Sequence, residues 1–186
     1  WLDHHPPVMR KKVEYFNPRI NDPEDTRPTS YWIYRVLGRK LWIAMIGMIG
    51  DWFMPEDDIR QLFIKEYPDL LPQEMTRPEE ALHDAKIGTL VQMISFNLKG
   101  KSSDVMKSVK ILTRVKEPDE LFLANTPGGR FIHKKYSNLK EDYDKLMKQV
   151  IIPPDDKLVL FVYKNDSYSF SSEISNELIY RNPEKV

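Results

Sequence analysis

Between Leu41 and Gly50 the chain reads Leu41-Trp42-Ile43-Ala44-Met45-Ile46-Gly47-Met48-Ile49-Gly50, without one polar side chain. A helix built from such a run has no face to offer water, so it must be packed on all sides by protein. It falls well short of the roughly 20 residues that a bilayer span demands. Asp51 follows at once, which delivers a carboxylate to the end of a core element. A buried ionised acid is costly unless it is paired or bound to metal, and this marks Asp51 as a candidate site residue. The simpler alternative turns Asp51 outward to cap the next segment, with Trp52-Phe53-Met54-Pro55 packed behind it. Gly47 and Gly50 admit two readings: a close approach of the backbone to a ligand or neighbouring element, or mere relief of crowding.

The other concentration of chemistry lies at Leu2-Asp3-His4-His5. Neighbouring residues on an extended segment point to opposite sides, so His4 and His5 are not expected to grip one ion together. A division of labour is more natural. One imidazole ligates a divalent metal while the other donates a hydrogen bond to an anion such as phosphate. Asp3 then holds a histidine in its working tautomer, or joins the ligand set. A solvated terminus before Pro6-Pro7 is the plain alternative.

Helical periodicity dominates the middle of the chain. Ser30 is a candidate N-cap for a helix through Tyr31, Ile33, Tyr34 and Leu37, with Gly38 ending it. Ile59, Leu62, Phe63 and Tyr67 form one stripe between Glu56 and Tyr67; Ile87, Leu90, Val91, Ile94 and Leu98 form another. Thr76, Pro78 and Glu79 resemble a helix start. Lys99-Gly100-Lys101-Ser102-Ser103 lacks the glycine spacing of a phosphate loop, and Ser102 or Ser103 is expected to cap the helix of Val105, Met106, Val109 and Leu112. Gly128-Gly129-Arg130 reads as a turn, followed by an amphipathic helix from Tyr136 to Val150. His83 and His133 read as surface or interface histidines. After Pro153-Pro154 the period changes: Lys157 to Tyr163 is a β-prone run, Asn165-Asp166 a turn into Ser167-Tyr168-Ser169-Phe170, and Ser172 to Tyr180 a helix.

Composition narrows the classes. With 28 basic and 28 acidic residues the formal net charge is zero, so there is no global attraction to nucleic acid and any affinity must be local. Zero cysteines exclude a disulfide framework and a thiolate metal site. No signal peptide, transmembrane run or lipidation motif is visible, and a cytoplasmic protein is expected.

Leu2-Asp3-His4-His5, Asn17-Pro18-Arg19, Pro28-Thr29-Ser30-Tyr31 and Ile46-Gly47-Met48-Ile49-Gly50-Asp51-Trp52 resemble, in order and spacing, the second half of the catalytic domain of DHH phosphoesterases. The likeness is greatest to the RecJ-like nuclease and oligonucleotide phosphodiesterase branch of archaea, and weaker similarity continues to Val186. The resemblance implies an α/β fold: residues 1–55 as the C-terminal part of the DHH domain, 56–152 as a helical connector, and 153–186 as the start of a mixed α/β substrate domain. It implies a pair of Mn2+ or Mg2+ ions with His4 and Asp51 as ligands. His5 would meet the scissile phosphate, and Asp3 would support the histidines. Asn17 and Arg19 are weaker candidates for orienting the site or meeting a phosphate, with a simple Asn-Pro turn as the alternative.

The implied chemistry is two-metal hydrolysis of single-stranded DNA or RNA, short oligonucleotides or a related phosphate ester. The paired aspartates and lone aspartate that supply most ligands in the family have no counterpart in these residues, and neither does the late GGH-type substrate motif. Gly128-Gly129-Arg130 lacks the histidine and lies too early. The chain is therefore expected to be a fragment, inactive alone, of an exonuclease-like hydrolase. The alternative is a non-catalytic RecJ-like scaffold that binds replication or repair proteins. A pyrophosphatase or polyphosphatase of the same superfamily is less favoured, because the connector is RecJ-like.

Overall fold

The computed structural model describes residues 1–8, 11–164 and 168–185. In order along the chain, these contain a 3-10 turn at Pro18–Ile20 and helices α1 (Thr29–Leu37), α2 (Leu41–Gly50), α3 (Asp57–Glu66), α4 (Pro78–Asp84), α5 (Lys86–Asn97), α6 (Ser102–Leu112), α7 (Asp119–Phe122), α8 (Pro127–Met147) and α9 (Ser171–Arg181). Among the described residues the only β pairing is an isolated bridge between Leu2 and Phe16. The expected α/β fold is thereby corrected to an α-helical one. The chain divides into two units, Trp1–Val91 and Gln92–Val186, and the division falls within α5.

The first unit is organised by α2, in which Leu41, Trp42, Ala44, Met45, Ile46, Met48 and Ile49 are buried. Gly38, at φ 60°, ends α1 with its N–H on the Tyr34 carbonyl, and the chain returns at once into α2. The two helices approach closely where Gly47 faces Ser30: a Cβ at Gly47 would lie 2.6 Å from the Ser30 Cβ. Of the two readings of Gly47, close approach is the one the structure contains. Ser30 lies inside the first turn of α1, and Pro28 occupies the cap position without a side-chain hydrogen bond. The buried Tyr31 donates to Glu56 Oε1 at 3.2 Å and packs edge-on to Phe53. Arg35 donates to the Tyr31 hydroxyl and pairs with Asp58 at 2.7 Å, which fastens α1 to the start of α3.

In the second unit Phe96, Leu139, Tyr143, Phe170 and Ile174 form a buried cluster, with Tyr136, Phe161, Tyr163 and Tyr168 packed against it. Asn97, fully buried, donates to the carbonyls of Met93 and Ile132, so its polar atoms are satisfied in an apolar setting. Gly128-Gly129-Arg130 opens α8 and is not the expected turn. Thr126 accepts the Gly129 N–H at 3.0 Å and Pro127 takes the first helical position. A Cβ at Gly129 would strike the Glu120 carbonyl at 2.0 Å, so the glycine lets α7 approach α8.

The β-prone run 157–163 is extended but joins no ladder among the described residues. Val159, Phe161 and Tyr163 turn inward to line a cavity of about 250 Å³ against Ile174, Leu178 and Ile179 of α9, while Leu158, Leu160 and Val162 face solvent. The residues therefore alternate as strand residues do, but their inner face is covered by a helix instead of a neighbouring strand. That is the physical reason the expected mixed α/β segment is absent. The expected turn at Asn165-Asp166 lies outside the described residues. Lys185 Nζ donates to the carbonyls of Pro153, Pro154 and Asp156 and closes the segment at its base.

Gly47→Ala gains about 1 kcal/mol of helix propensity but overpacks against Ser30 at a cost of about 1–3 kcal/mol, so the expected outcome in urea denaturation is net destabilisation. In a Ser30→Gly background the obstacle is gone and the same substitution should stabilise. Destabilisation in both backgrounds would show that the contact is not the cause.

Candidate functional site

Asp3 is the pivot of the N-terminal segment. Its backbone N–H bonds the Phe16 carbonyl at 3.1 Å, and the Phe16 N–H bonds the Trp1 carbonyl at 2.8 Å. Asp3 Oδ1 then accepts the His4 N–H at 2.9 Å, the His5 N–H at 3.2 Å and His5 Nδ1 at 2.9 Å. A carboxylate accepting successive backbone N–H groups bends the chain into an Asx-type turn. The two following side chains thus fall on one side, with ring centroids 4.4 Å apart. The expectation that they point to opposite sides is corrected for this reason. The hydrogen bonds from His5 hold the Asp3 carboxyl below the usual aspartate range.

Each imidazole has a distinct partner. His5 is exposed and its Nδ1 faces the Asp3 carboxylate. His4 is half-buried, and its Nδ1 accepts the Thr29 N–H at 3.1 Å. Thr29 opens α1, whose cap residue Pro28 offers no side-chain acceptor. The first amides of a helix have no partner within it, and here one of them finds an imidazole. The loop leading to Thr29 is held by buried Asp25, which takes a bidentate pair from Arg27; that guanidinium also lies 4.4 Å over the Trp32 ring.

Asp51 sits at the C-cap of α2. Its neighbours complete a Schellman turn: the Trp52 N–H reaches the Ile49 carbonyl at 3.1 Å and the Phe53 N–H reaches Met48 at 2.9 Å. Trp52 carries the left-handed conformation at φ 58°, a position that glycine usually fills and that costs a bulky residue about 1–3 kcal/mol. A carboxylate here faces the negative end of the helix dipole. Asp51 is exposed rather than enclosed in the core, so the outward alternative holds; partial desolvation beside α2 raises its carboxyl above the usual range, and His4 and then His5 oppose the shift. Among the described residues Asp51 has no hydrogen bond or ion pair, and Glu56, not Asp51, is the cap residue of α3.

Asn17 belongs to the same assembly. It is buried, and its Nδ2 donates to the His5 carbonyl and the Tyr15 hydroxyl, each at 2.8 Å, while its Oδ1 accepts the Arg19 N–H and caps the 3-10 turn. Arg19 spends its Nε on the Pro23 carbonyl and makes no hydrogen bond to Asp3, His4, His5 or Asp51 among the described residues. Thr29 and Tyr15 were not anticipated from sequence. A backbone amide leaves no residue-type signal, although a proline at the cap position already leaves the first amides of α1 in want of an acceptor.

Among the described residues no three of His, Asp and Glu gather into a set able to hold a metal ion. The donor chemistry nevertheless suits part of one. An imidazole backed by a carboxylate is the arrangement that metal-ligating histidines use, and a partnerless carboxylate against a helix C-terminus is stabilised by a cation. His4, His5 and Asp51 do not by themselves form a set that holds a metal ion among the described residues.

Because the raised Asp51 pKa weakens the folded state above the titration range, Asp51→Asn should stabilise the protein at neutral pH by about 0.3–1 kcal/mol. The gain should vanish in acid, where aspartate is protonated in both folded and unfolded chains; a midpoint difference independent of pH would contradict it. Asn17→Ala leaves the His5 carbonyl and the Arg19 N–H without their partner, and thermal melts should show a loss of about 1–3 kcal/mol.

No helix among the described residues is long and apolar enough to cross a membrane. Comparisons with known protein families, with curated proteins and with solved structures found no match.

Proposed function

We propose that the chain supplies part of the active site of a metal-dependent phosphodiesterase of the DHH, RecJ-like type, acting on single-stranded nucleic acid or short oligonucleotides. The observation that supports this reading is the turn at Asp3 that sets two imidazole rings 4.4 Å apart, together with Asp51, a carboxylate that has no hydrogen bond or ion pair among the described residues. Bound Mn2+ or Mg2+ would supply an activated water and neutralise the charge that develops on the phosphoryl oxygens. Asp51 offers a hard anionic ligand. One imidazole offers a ring nitrogen to the cation, and the other an N–H to a non-bridging oxygen, a charge-assisted bond that strengthens as negative charge builds. Asp3 fixes the His5 ring and the turn, the Thr29 amide fixes the His4 ring, and Asn17 supports the turn from behind through the His5 carbonyl. A cytoplasmic setting belongs to the same proposal.

The test is hydrolysis by the protein containing this chain, with Mn2+, of a labelled single strand and of a dinucleotide. Asp51→Asn should lower the rate by no less than the roughly 10–100-fold typical of groups that merely orient a metal ligand. Equal hydrolysis by the variant would remove Asp51 from the site. Absence of hydrolysis in the unsubstituted protein would favour a binding scaffold.

A further inference from the structure

The geometry points to the seam between α6 and α8 as a track for the sugar-phosphate backbone of a single-stranded nucleic acid, held by cations that the fold leaves without acidic partners. The seam stands on charge and packing alone; the choice of a single strand among polyanions rests on the phosphodiesterase reading. A chain of 28 basic and 28 acidic residues exerts no global pull on a polyanion, so its cations must be gathered locally. Two stretches gather them. Val105 to Lys116 holds Lys107, Lys110, Arg114 and Lys116 and no acid, and Leu121 to Lys140 holds Arg130, Lys134, Lys135 and Lys140 and no acid.

The fold brings these stretches side by side. Lys107 Nζ lies 4.4 Å over the Phe131 ring, and a Cβ at Gly128 would lie 3.0 Å from Ile111 Cγ2. The later residue of α6 meets the earlier residue of α8, so the two helices run antiparallel. Lys107, Lys110 and Arg114 recur at i, i+3 and i+7 and are exposed, as are Arg130 and Lys134 at i and i+4 of α8. Side chains three or four apart on a helix stand about 5–6 Å from one another, so the cations form rows along the seam. A row suits an anion that repeats.

Among the described residues Lys107, Lys110, Arg114 and Lys134 form no ion pair. The C-terminal half of α8 shows the ordinary alternative, with Lys140 on Asp144 and Lys145 on Glu141. Lys135 is spent on the carbonyls of Asn97 and Lys99, and Arg130 Nη1 faces those of Ala124 and Asn125. Like charges one turn apart destabilise a helix. A bound polyanion removes that repulsion and releases its own counterions, and the Phe131 ring already holds one ammonium in place.

The test is fluorescence anisotropy of a labelled oligothymidylate with the 186-residue chain in EDTA, where binding is read without metal-dependent hydrolysis. Four neutralised phosphates should give a slope of log K against log salt of about −2.8. Lys107→Ala with Lys110→Ala should reduce the slope to about −1.4 and weaken binding at low salt by about tenfold or more. Lys145→Ala with Lys148→Ala removes the same charge from the other end of α8 and should change neither. Oligothymidylate should also raise the melting temperature of the unsubstituted chain, and melts without it check that each variant folds.

Absence of binding, or an equal loss from the two pairs of substitutions, overturns the inference. Binding to phosphatidylserine vesicles in preference to oligothymidylate overturns it in favour of a membrane surface. Either result leaves the phosphodiesterase reading standing, because hydrolysis by the protein containing this chain is measured separately. Binding through the seam without that hydrolysis removes the phosphodiesterase reading and upholds the inference.

Discussion

One carboxylate oxygen, Oδ1 of Asp3, accepts two backbone N–H groups and one ring N–H, and the candidate site exists because it does. Side chains of adjacent residues diverge in extended backbone. The local turn cancels that divergence and sets two imidazoles side by side. Everything else near the site serves to hold this arrangement in place. The Leu2–Phe16 bridge anchors the approach, Asn17 secures the His5 carbonyl, and the opening amide of α1 secures His4.

The other half of the site follows from burying α2. Packing a helix with almost no polar atoms leaves its ends as the only places where polar chemistry can surface, and Asp51 occupies one of them. The position is unfavourable for stability: the carboxylate faces the wrong pole of the helix, partial desolvation raises its pKa although the residue is exposed, and the adjoining Trp52 adopts a backbone conformation that suits glycine. Two adverse features at one helix end, beside two imidazoles, fit the tendency of functional sites to hold strain that surrounding structure offsets.

Much of the helical skeleton was legible. The apolar run, its end at Asp51 and the stop at Gly38 follow from periodicity and from the conformational freedom of glycine, which are local properties. The stripes of Ile59 and Phe63, and of Ile87 and Leu90, likewise give α3 and α5. What failed depended on partners. Gly128-Gly129-Arg130 has turn-like composition, but the glycines serve the approach of α7 to α8, which only packing reveals. The run 157–163 has strand chemistry, yet strand pairing requires a second strand, and α9 covers its inner face instead. At the site, residue types pointed to Asp3, His4, His5 and Asp51. The turn that aligns the rings and the backbone amide that holds the His4 ring lie in dihedral angles and main-chain atoms, which composition does not encode.

The outward row of Leu158, Leu160 and Val162 has a consequence for handling the molecule. An extended ribbon with greasy teeth and a main-chain edge that joins no ladder among the described residues is a template for any other extended chain that meets it. At high concentration, self-association of this polypeptide would begin along that ribbon, and the lysines at 157 and 164 stand at its two ends as charged gatekeepers.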